Sequence, residues 1–505
     1  MPSTRSAPRE SAVSTALARN RMGVPGVSLS IASSVAPLTV VAGVVTTGLA
    51  VTGLTGVSIA LIAVAVVYML FAVGYVAMAR HITNAGAFYA YIAQGAWRPA
   101  GVGASWVALL SYNCFQLASY GGVGAIGAPL IKDWFGVDVK WWVIALVTWV
   151  VVAFLGIRDV GVSEKVLAVL VIAETAVVLV YSIAIALSSG FQFSSAPMSA
   201  GSLFGAGSGA LIVIAATAFV GIEQGAVYIE ESRDPKRTVA RATYFTIAFV
   251  ALVYAFASWV QISAAGPQVI DRAGAEGPDL FFNLAAGPLG SPAVDLGHIL
   301  FLTSLLAAMI AFHNIIARYT FALGREGVFP RLFSQTVGGA PRNSSLAQSA
   351  LAIVVILLYA VAGWDPLVKL FFWGGSAGGL GVLLLITATS IAVICYFARD
   401  PHGEHAWNRV IAPVVSTVLL LVITYLALRN LTTLFGDPTP SWVVPTVFLV
   451  TFVAGIAWGL TLKATRPRVY EGIGLGARSA TASTTGFAAA LQQPSGDYET
   501  LDRRR

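Results

Sequence analysis

Residues 206–237 read AGSGALIVIAATAFVGIEQGAVYIEESRDPKR. An apolar run of bilayer-spanning length, Ala206 to Ile229, carries Gly221-Ile222-Glu223 inside it and ends in Glu230-Glu231-Ser232-Arg233-Asp234-Pro235-Lys236-Arg237. A lipid-facing charge at mid-bilayer is costly, so Glu223 is expected to face a cavity, a partner or the protein interior. The glycine before it predicts a break in the helix.

The rest of the chain repeats the apolar pattern. It has 505 residues, 57% hydrophobic and 10% charged, with a mean hydropathy of +0.80. That leaves too little polar surface for a soluble protein of this size and predicts an all-α, polytopic membrane protein. Spanning runs are read at Val27 to Ala50, Val57 to Ala79, Gly101 to Leu130, Trp141 to Ile157, Val166 to Leu187 and Ala206 to Ile229. Six more follow, at Ala242 to Ala264, Leu296 to Leu323, Leu346 to Ala362, Leu370 to Phe397, Val410 to Leu428 and Trp442 to Leu462. Twelve transmembrane helices put both termini on one side.

A net charge of +7 would suit nucleic acid, but the basic residues sort by loop. With a cytoplasmic N-terminus, 24 of the 30 Lys and Arg fall in the tails and even-numbered gaps, against five outside: Lys132, Lys140, Arg272, Lys369 and Arg429. Arg318 sits near the inner end of the eighth span. This asymmetry is the positive-inside signature, and it places both ends in the cytoplasm of a plasma-membrane protein whose partner is lipid, not nucleic acid. The first 22 residues are polar, so the first helix is its own targeting signal. Cys114 and Cys395 lie inside spans and read as packing residues.

The organisation expected is a cytoplasmic N-terminal tail (1–22), a transporter domain (23–464) and a disordered cytoplasmic C-terminal tail (465–505). Within the domain, 27–190 and 204–398 read as two inverted repeats, followed by extra helices at 410–462. The first span is interrupted at Ser33-Ser34-Val35-Ala36-Pro37, where proline removes a backbone donor and the serines can replace lost bonds. Five spans later comes the break at Phe219 to Glu223. Paired broken helices in two inverted halves point to a secondary transporter's binding site. N–H groups after Pro37 would hold a carboxylate and carbonyls near Phe219 to Gly221 an ammonium group, the polarity of an amino acid or small amine.

Several stretches resemble the amino acid-polyamine-organocation (APC) superfamily. They are Ala36-Pro37-Leu38-Thr39-Val40-Val41-Ala42-Gly43, Asn84-Ala85-Gly86-Ala87-Phe88-Tyr89-Ala90-Tyr91, the Phe219 to Glu223 stretch with its charged tail, and Arg325-Glu326-Gly327-Val328-Phe329-Pro330. The resemblance implies a five-plus-five inverted-repeat fold with helices 1 and 6 discontinuous. It also implies a bacterial permease-like function, in which the backbone around Ser33 to Leu38 and the turn from Phe219 through Gly221 and Ile222 to Glu223 hold the substrate and Phe219 serves as an aromatic gate. The first span departs from many amino acid permeases in lacking a glycine-rich break.

Tyr112 and Asn113 in the third span and Trp373 and Ser376 beside the glycines of the tenth are further cavity candidates. Glu223, Glu174 and His313 are the proton-coupling candidates, with interhelical bonding as the alternative for each. His402-Gly403-Glu404-His405 is half a metal motif without helical spacing, so no metal or cofactor is assigned. The function expected is secondary active transport of an amino acid, amine or polyamine by alternating access, coupled to protons. Solute exchange and sodium coupling remain alternatives, a channel or receptor is the alternative of a different class, and the oligomeric state stays open. No phosphate-cradling loop or catalytic constellation is present in the sequence, which excludes a primary pump or an enzyme from the reading.

Overall fold

A computed structural model describes residues 13–14, 17, 21–158, 160–190 and 192–478. Among these, eleven helices are long and apolar enough to cross a membrane. The fourth predicted stretch forms the apolar helix Trp141–Gly156, whose 16 residues rise only about 24 Å, so the twelve expected spans become eleven of full length and one short helix. Helices dominate because a backbone crossing hydrocarbon must satisfy its own N–H and C=O groups. The only ladder among the described residues pairs Val13–Ser14 with Thr336–Val337.

Burial orders the spans from centre to rim. In the apolar core of the sixth span, Ser208–Ala226, 83% of residues are buried, against 17% for the last, Ser441–Thr465. The third helix, Arg98–Phe135, and the eighth, Pro292–Arg325, have 38 and 34 residues and are longer than the roughly 20 that a bilayer requires. Small residues let helices approach closely. A methyl group on Gly455 would lie 2.6 Å from the Cα of Gly103, so the third and twelfth spans touch backbone to backbone.

The described parts of both ends lie on the same face, called here the terminal face. Arg21 and Met22 donate backbone N–H bonds to the Glu231 carbonyl at 3.0 and 3.1 Å. At the other end, residues expected to be a disordered tail from 465 onward form the helix Pro467–Gly472 and a packed segment through Arg478. Ile473 is fully buried there. Gly474 and Gly476 donate to the Glu326 carboxylate at 2.6 and 2.8 Å, joined by Asn84 at 2.7 Å and Tyr89 at 2.6 Å. Burial raises the Glu326 pKa above the ordinary carboxylate value, while these donors and Arg325 pull it down. Residues 1–12 and 479–505 of the two predicted tails lie outside the described residues.

Two further ion pairs close this face. Arg318 meets Glu231 through two nitrogens at 2.7 and 3.1 Å, both side chains buried, and Arg325 meets Glu230 twice at 2.7 Å. Glu404, from the half metal motif, accepts from Arg80 at 2.8 and 3.0 Å.

Removing one partner of a buried pair strands the other charge, at a cost of about 3–5 kcal/mol, whereas removing both is often close to neutral. Arg318→Met is therefore expected to lower the unfolding midpoint of the detergent-solubilised protein well below that of the double variant Arg318→Met/Glu231→Gln. Equal midpoints in a thermal melt would contradict this account of the closure.

Candidate functional site

The first span breaks where the sequence suggests. Helix Val24–Val35 ends at Ala36, whose φ of 48° is left-handed, a conformation costly for a residue with a side chain, and Pro37 starts the next helical segment. The sixth span stops being α-helical after Thr217 and turns through Gly221, φ 115°, into the 3-10 segment Ile222–Ala226. The two breaks meet. A Cβ on Gly221 would come within 2.7 Å of the Ser34 Cβ and 3.2 Å of the Val35 nitrogen, so only glycine allows both this φ and this contact.

Side chains satisfy the groups the breaks release. The Leu38 N–H donates to Glu174 Oε2 at 3.3 Å, and Ser304 Oγ bonds the same oxygen. Glu174 Oε1 has no partner among the described residues. The Gly221 N–H donates to Glu223 Oε2 at 2.9 Å, Tyr112 donates to Glu223 Oε1 at 3.0 Å, and Tyr75 donates to the Glu223 carbonyl at 2.8 Å. Tyr68 donates to the Ala216 carbonyl at 3.3 Å, Tyr254 to that of Val35 at 3.4 Å, and Ser34 bonds Gln224.

A cavity of about 600 Å³ lies against the breaks. It reaches the face opposite the termini, because its wall includes Val51, Pro278 and Gly436 from segments exposed there. Ser34, Val35, Ala36, Trp373 and Ser376 of the predicted site line it. Phe219, the expected gate, is fully buried and absent from the wall; it stands edge-on to Tyr68, which lines the cavity, and to Tyr254, with ring centroids 5.9 and 5.8 Å apart.

Several predicted residues stand elsewhere. Glu223, 1% exposed, lies behind the wall, because the turn at Gly221 swings its carboxylate back onto the backbone. Ser33 donates to the Leu29 carbonyl within its own helix at 2.7 Å, and Pro37, Gly221 and Ile222 are likewise absent from the wall. Tyr112 is absent from the wall and lies behind it, bonded to Glu223 and with its ring 6.1 Å from that of Phe312, which lines the cavity. Asn113 turns to the ninth span, accepting from Gln348 at 2.7 Å. His313 sits between Gln116 at 3.2 Å and Ser345 at 2.7 Å, a bridge between helices. The Leu38 donor, expected to hold a substrate carboxylate, is already held by Glu174. The tenth-span glycines mostly serve packing: a methyl on Gly378 would meet Phe115 at 2.7 Å, and one on Gly379 would meet Thr217 at 2.7 Å. Gly375 alone of these opens onto free space.

Sequence reading missed Tyr68, Tyr75, Tyr254, Ser304 and Gln224. A tyrosine in a span reads as apolar by hydropathy, although its hydroxyl needs a partner when buried.

A family profile described as amino acid permease matches residues 14–458. The low-affinity putrescine importer PlaP of Escherichia coli strain K12 is 25% identical over 348 residues, 66% of this chain and 72% of that protein. The branched-chain amino acid permease BcaP of Bacillus subtilis strain 168 is 25% identical over 264 residues, 52% of this chain and 50% of that protein.

The crossing of the two breaks makes Gly221 the most sensitive backbone position of the site. Gly221→Ala adds a strained φ and a steric contact, together about 1–3 kcal/mol. The added Cβ is expected to lower both thermal stability and ligand-induced stabilisation, and the second substitution Ser34→Gly should restore part of each. A Gly221→Ala melt matching wild type would show that the breaks do not touch.

Proposed function

This chain belongs to the amino acid permease family, and we propose that it is a secondary active transporter of neutral amino acids with apolar side chains, working by alternating access. Family membership makes it a multi-pass membrane permease of the amino acid and polyamine type, and not an enzyme. The finer reading rests on one observation: among the described residues, no Asp, Glu, His, Lys or Arg lines the cavity. A diamine would leave two ammonium groups there without a counter-charge, at a large desolvation cost. A zwitterion needs only the partial charges of the two helix breaks for its head group, and the aliphatic and aromatic wall accepts an apolar side chain.

The cavity joins the face opposite the termini, while aromatic packing and the Glu230–Arg325 and Glu231–Arg318 pairs block the terminal face. With the termini in the cytoplasm, as the loop charges favour, this is the outward-open state, and import requires those pairs to part. Glu174 and Glu223 are the proton carriers in this reading. Each caps a backbone N–H freed by a break, so protonation weakens a cap and alters how the broken ends receive the substrate's charges. Tyr112 serves as the positioning residue for Glu223.

In proteoliposomes with an imposed inward proton gradient, saturable accumulation of leucine, isoleucine or phenylalanine, without competition by putrescine, is expected. Glu223→Gln should abolish gradient-driven accumulation while leaving counterflow measurable. Putrescine uptake unaffected by neutral amino acids would sink the substrate assignment, and unchanged accumulation in Glu223→Gln the coupling role. Conductance without saturation would identify a channel instead.

Gly375→Phe places a ring in the free space of the cavity from an ordinary helical position. It is expected to raise the apparent KM for the largest substrates at least tenfold while leaving the melting temperature near wild type. Unchanged kinetics would mean that the substrate binds elsewhere.

A further inference from the structure

We infer that a second pocket, on the terminal face, binds the headgroup of an anionic phospholipid. It has a volume of about 340 Å³ and lies apart from the transport cavity, with Gln94, Trp97, Arg98, Arg399, Tyr470 and Ile473 in its wall. The ends of two spans and the C-terminal segment line it, and the end of a third span stands beside it against Tyr470. Arg98 begins the third span, Arg399 ends the tenth, Lys463 lies in the last turn of the twelfth, and Tyr470 belongs to helix Pro467–Gly472.

The charges of this cluster are arranged for an anion. Arg399 is fixed by donating from both terminal nitrogens to the Gln94 and Ala96 carbonyls, each at 3.0 Å. The Arg98 guanidinium carbon lies 5.6 Å from the centroid of the Tyr470 ring, and Lys463 Nζ lies 5.8 Å from the same centroid. Among the described residues no carboxylate lines the pocket, and none pairs with Arg98, Arg399 or Lys463 within 4.0 Å. Asp400, the next residue after Arg399, bonds the His402 backbone at 2.9 Å instead. Arginine suits phosphate because its donors form a planar fork.

Position selects a lipid over a dissolved anion. The cations cap the ends of membrane-spanning helices, the level at which lipid phosphates lie, and Trp97 is 46% exposed beside them, as an interfacial anchor should be. From Lys463 the outer face of the twelfth span continues through Leu460, Val453 and Val450, exposed by 43, 53 and 61%, a track for acyl chains. A headgroup held here ties the ends of the third and tenth spans to the segment whose Gly474 and Gly476 bond Glu326.

The test is native mass spectrometry of the full-length purified protein titrated with phosphatidylglycerol or phosphatidylcholine. Wild type is expected to retain phosphatidylglycerol preferentially. Arg98→Gln/Lys463→Gln should weaken that retention by roughly ten- to thirty-fold, since each interfacial cation contributes on the order of 1 kcal/mol. Arg237→Gln, which removes an exposed charge from the same face, should leave it unchanged. A photoactivatable phosphatidylglycerol on the wild-type chain should label residues 94–98 or 463–475, a readout independent of whether the double variant folds. Equal retention of the two lipids, retention unaffected in a folded double variant, labelling elsewhere, or displacement of the lipid by millimolar inorganic phosphate would each overturn the assignment.

Discussion

Backbone polarity at membrane depth constrains the rest of this structure. Two spans stop being regular helices in the interior, and each interruption releases N–H and C=O groups that hydrocarbon cannot satisfy. The chain answers with side chains from neighbouring spans. Glu174 and Glu223 accept the freed N–H groups of Leu38 and Gly221, and Tyr254, Tyr68 and Tyr75 donate to the carbonyls of Val35, Ala216 and Glu223. These polar groups are costly in lipid and are retained because the breaks need them. The same bonds fix where the breaks lie and let them touch at Gly221 and Ser34.

The closure of the terminal face follows a related logic. Glu230 and Glu231 come from the end of the sixth span, Arg318 and Arg325 from the eighth, and Asn84 and Tyr89 from the segment after the second. The Ala85 N–H also donates to Glu230 at 3.0 Å, so three of the four stretches that carried the family resemblance converge on one cluster. Buried ion pairs gain in Coulomb energy about what they lose in desolvation, so their net contribution is small while both partners stay together. A closure built from such pairs is specific in register yet not deeply stabilising. If water enters as the face opens, rehydration of the charges offsets much of the lost attraction. Hydrophobic packing of the same extent would be harder to reverse.

The spans were legible in the sequence because hydropathy over about 20 residues is a strong signal: Val57–Ala79 and Arg342–Ala362 end where, or close to where, the apolar runs do. Both breaks were legible from Pro37 and Gly221, residues whose backbone chemistry is local. Side-chain direction was not. Whether Glu223 faces the cavity depends on how the chain turns at Gly221, and Asn113 faces Gln348 because of how the third and ninth spans are rotated, which periodicity cannot fix when both faces are apolar. The C-terminal segment was missed for a similar reason. Ile473 belongs to a short stretch with few apolar residues, too short for a periodic signal, and the segment's docking depends on Glu326, almost 150 residues earlier in the chain.

The separation of the two carboxylates from the cavity wall has a mechanistic consequence. A carboxylate inside the cavity would pair directly with a substrate ammonium group, and its protonation would compete with binding. Behind the wall, Glu174 and Glu223 act on the broken ends of the helices instead. A proton on either acid converts a charged acceptor into a weaker, neutral one and loosens a backbone N–H that lies at the meeting point of the breaks. In the proposed proton-coupled cycle, substrate and proton would communicate through the peptide dipoles that both address, with no contact between them. Such a division of labour would let an uncharged wall select the substrate's side chain while the coupling groups stand behind it.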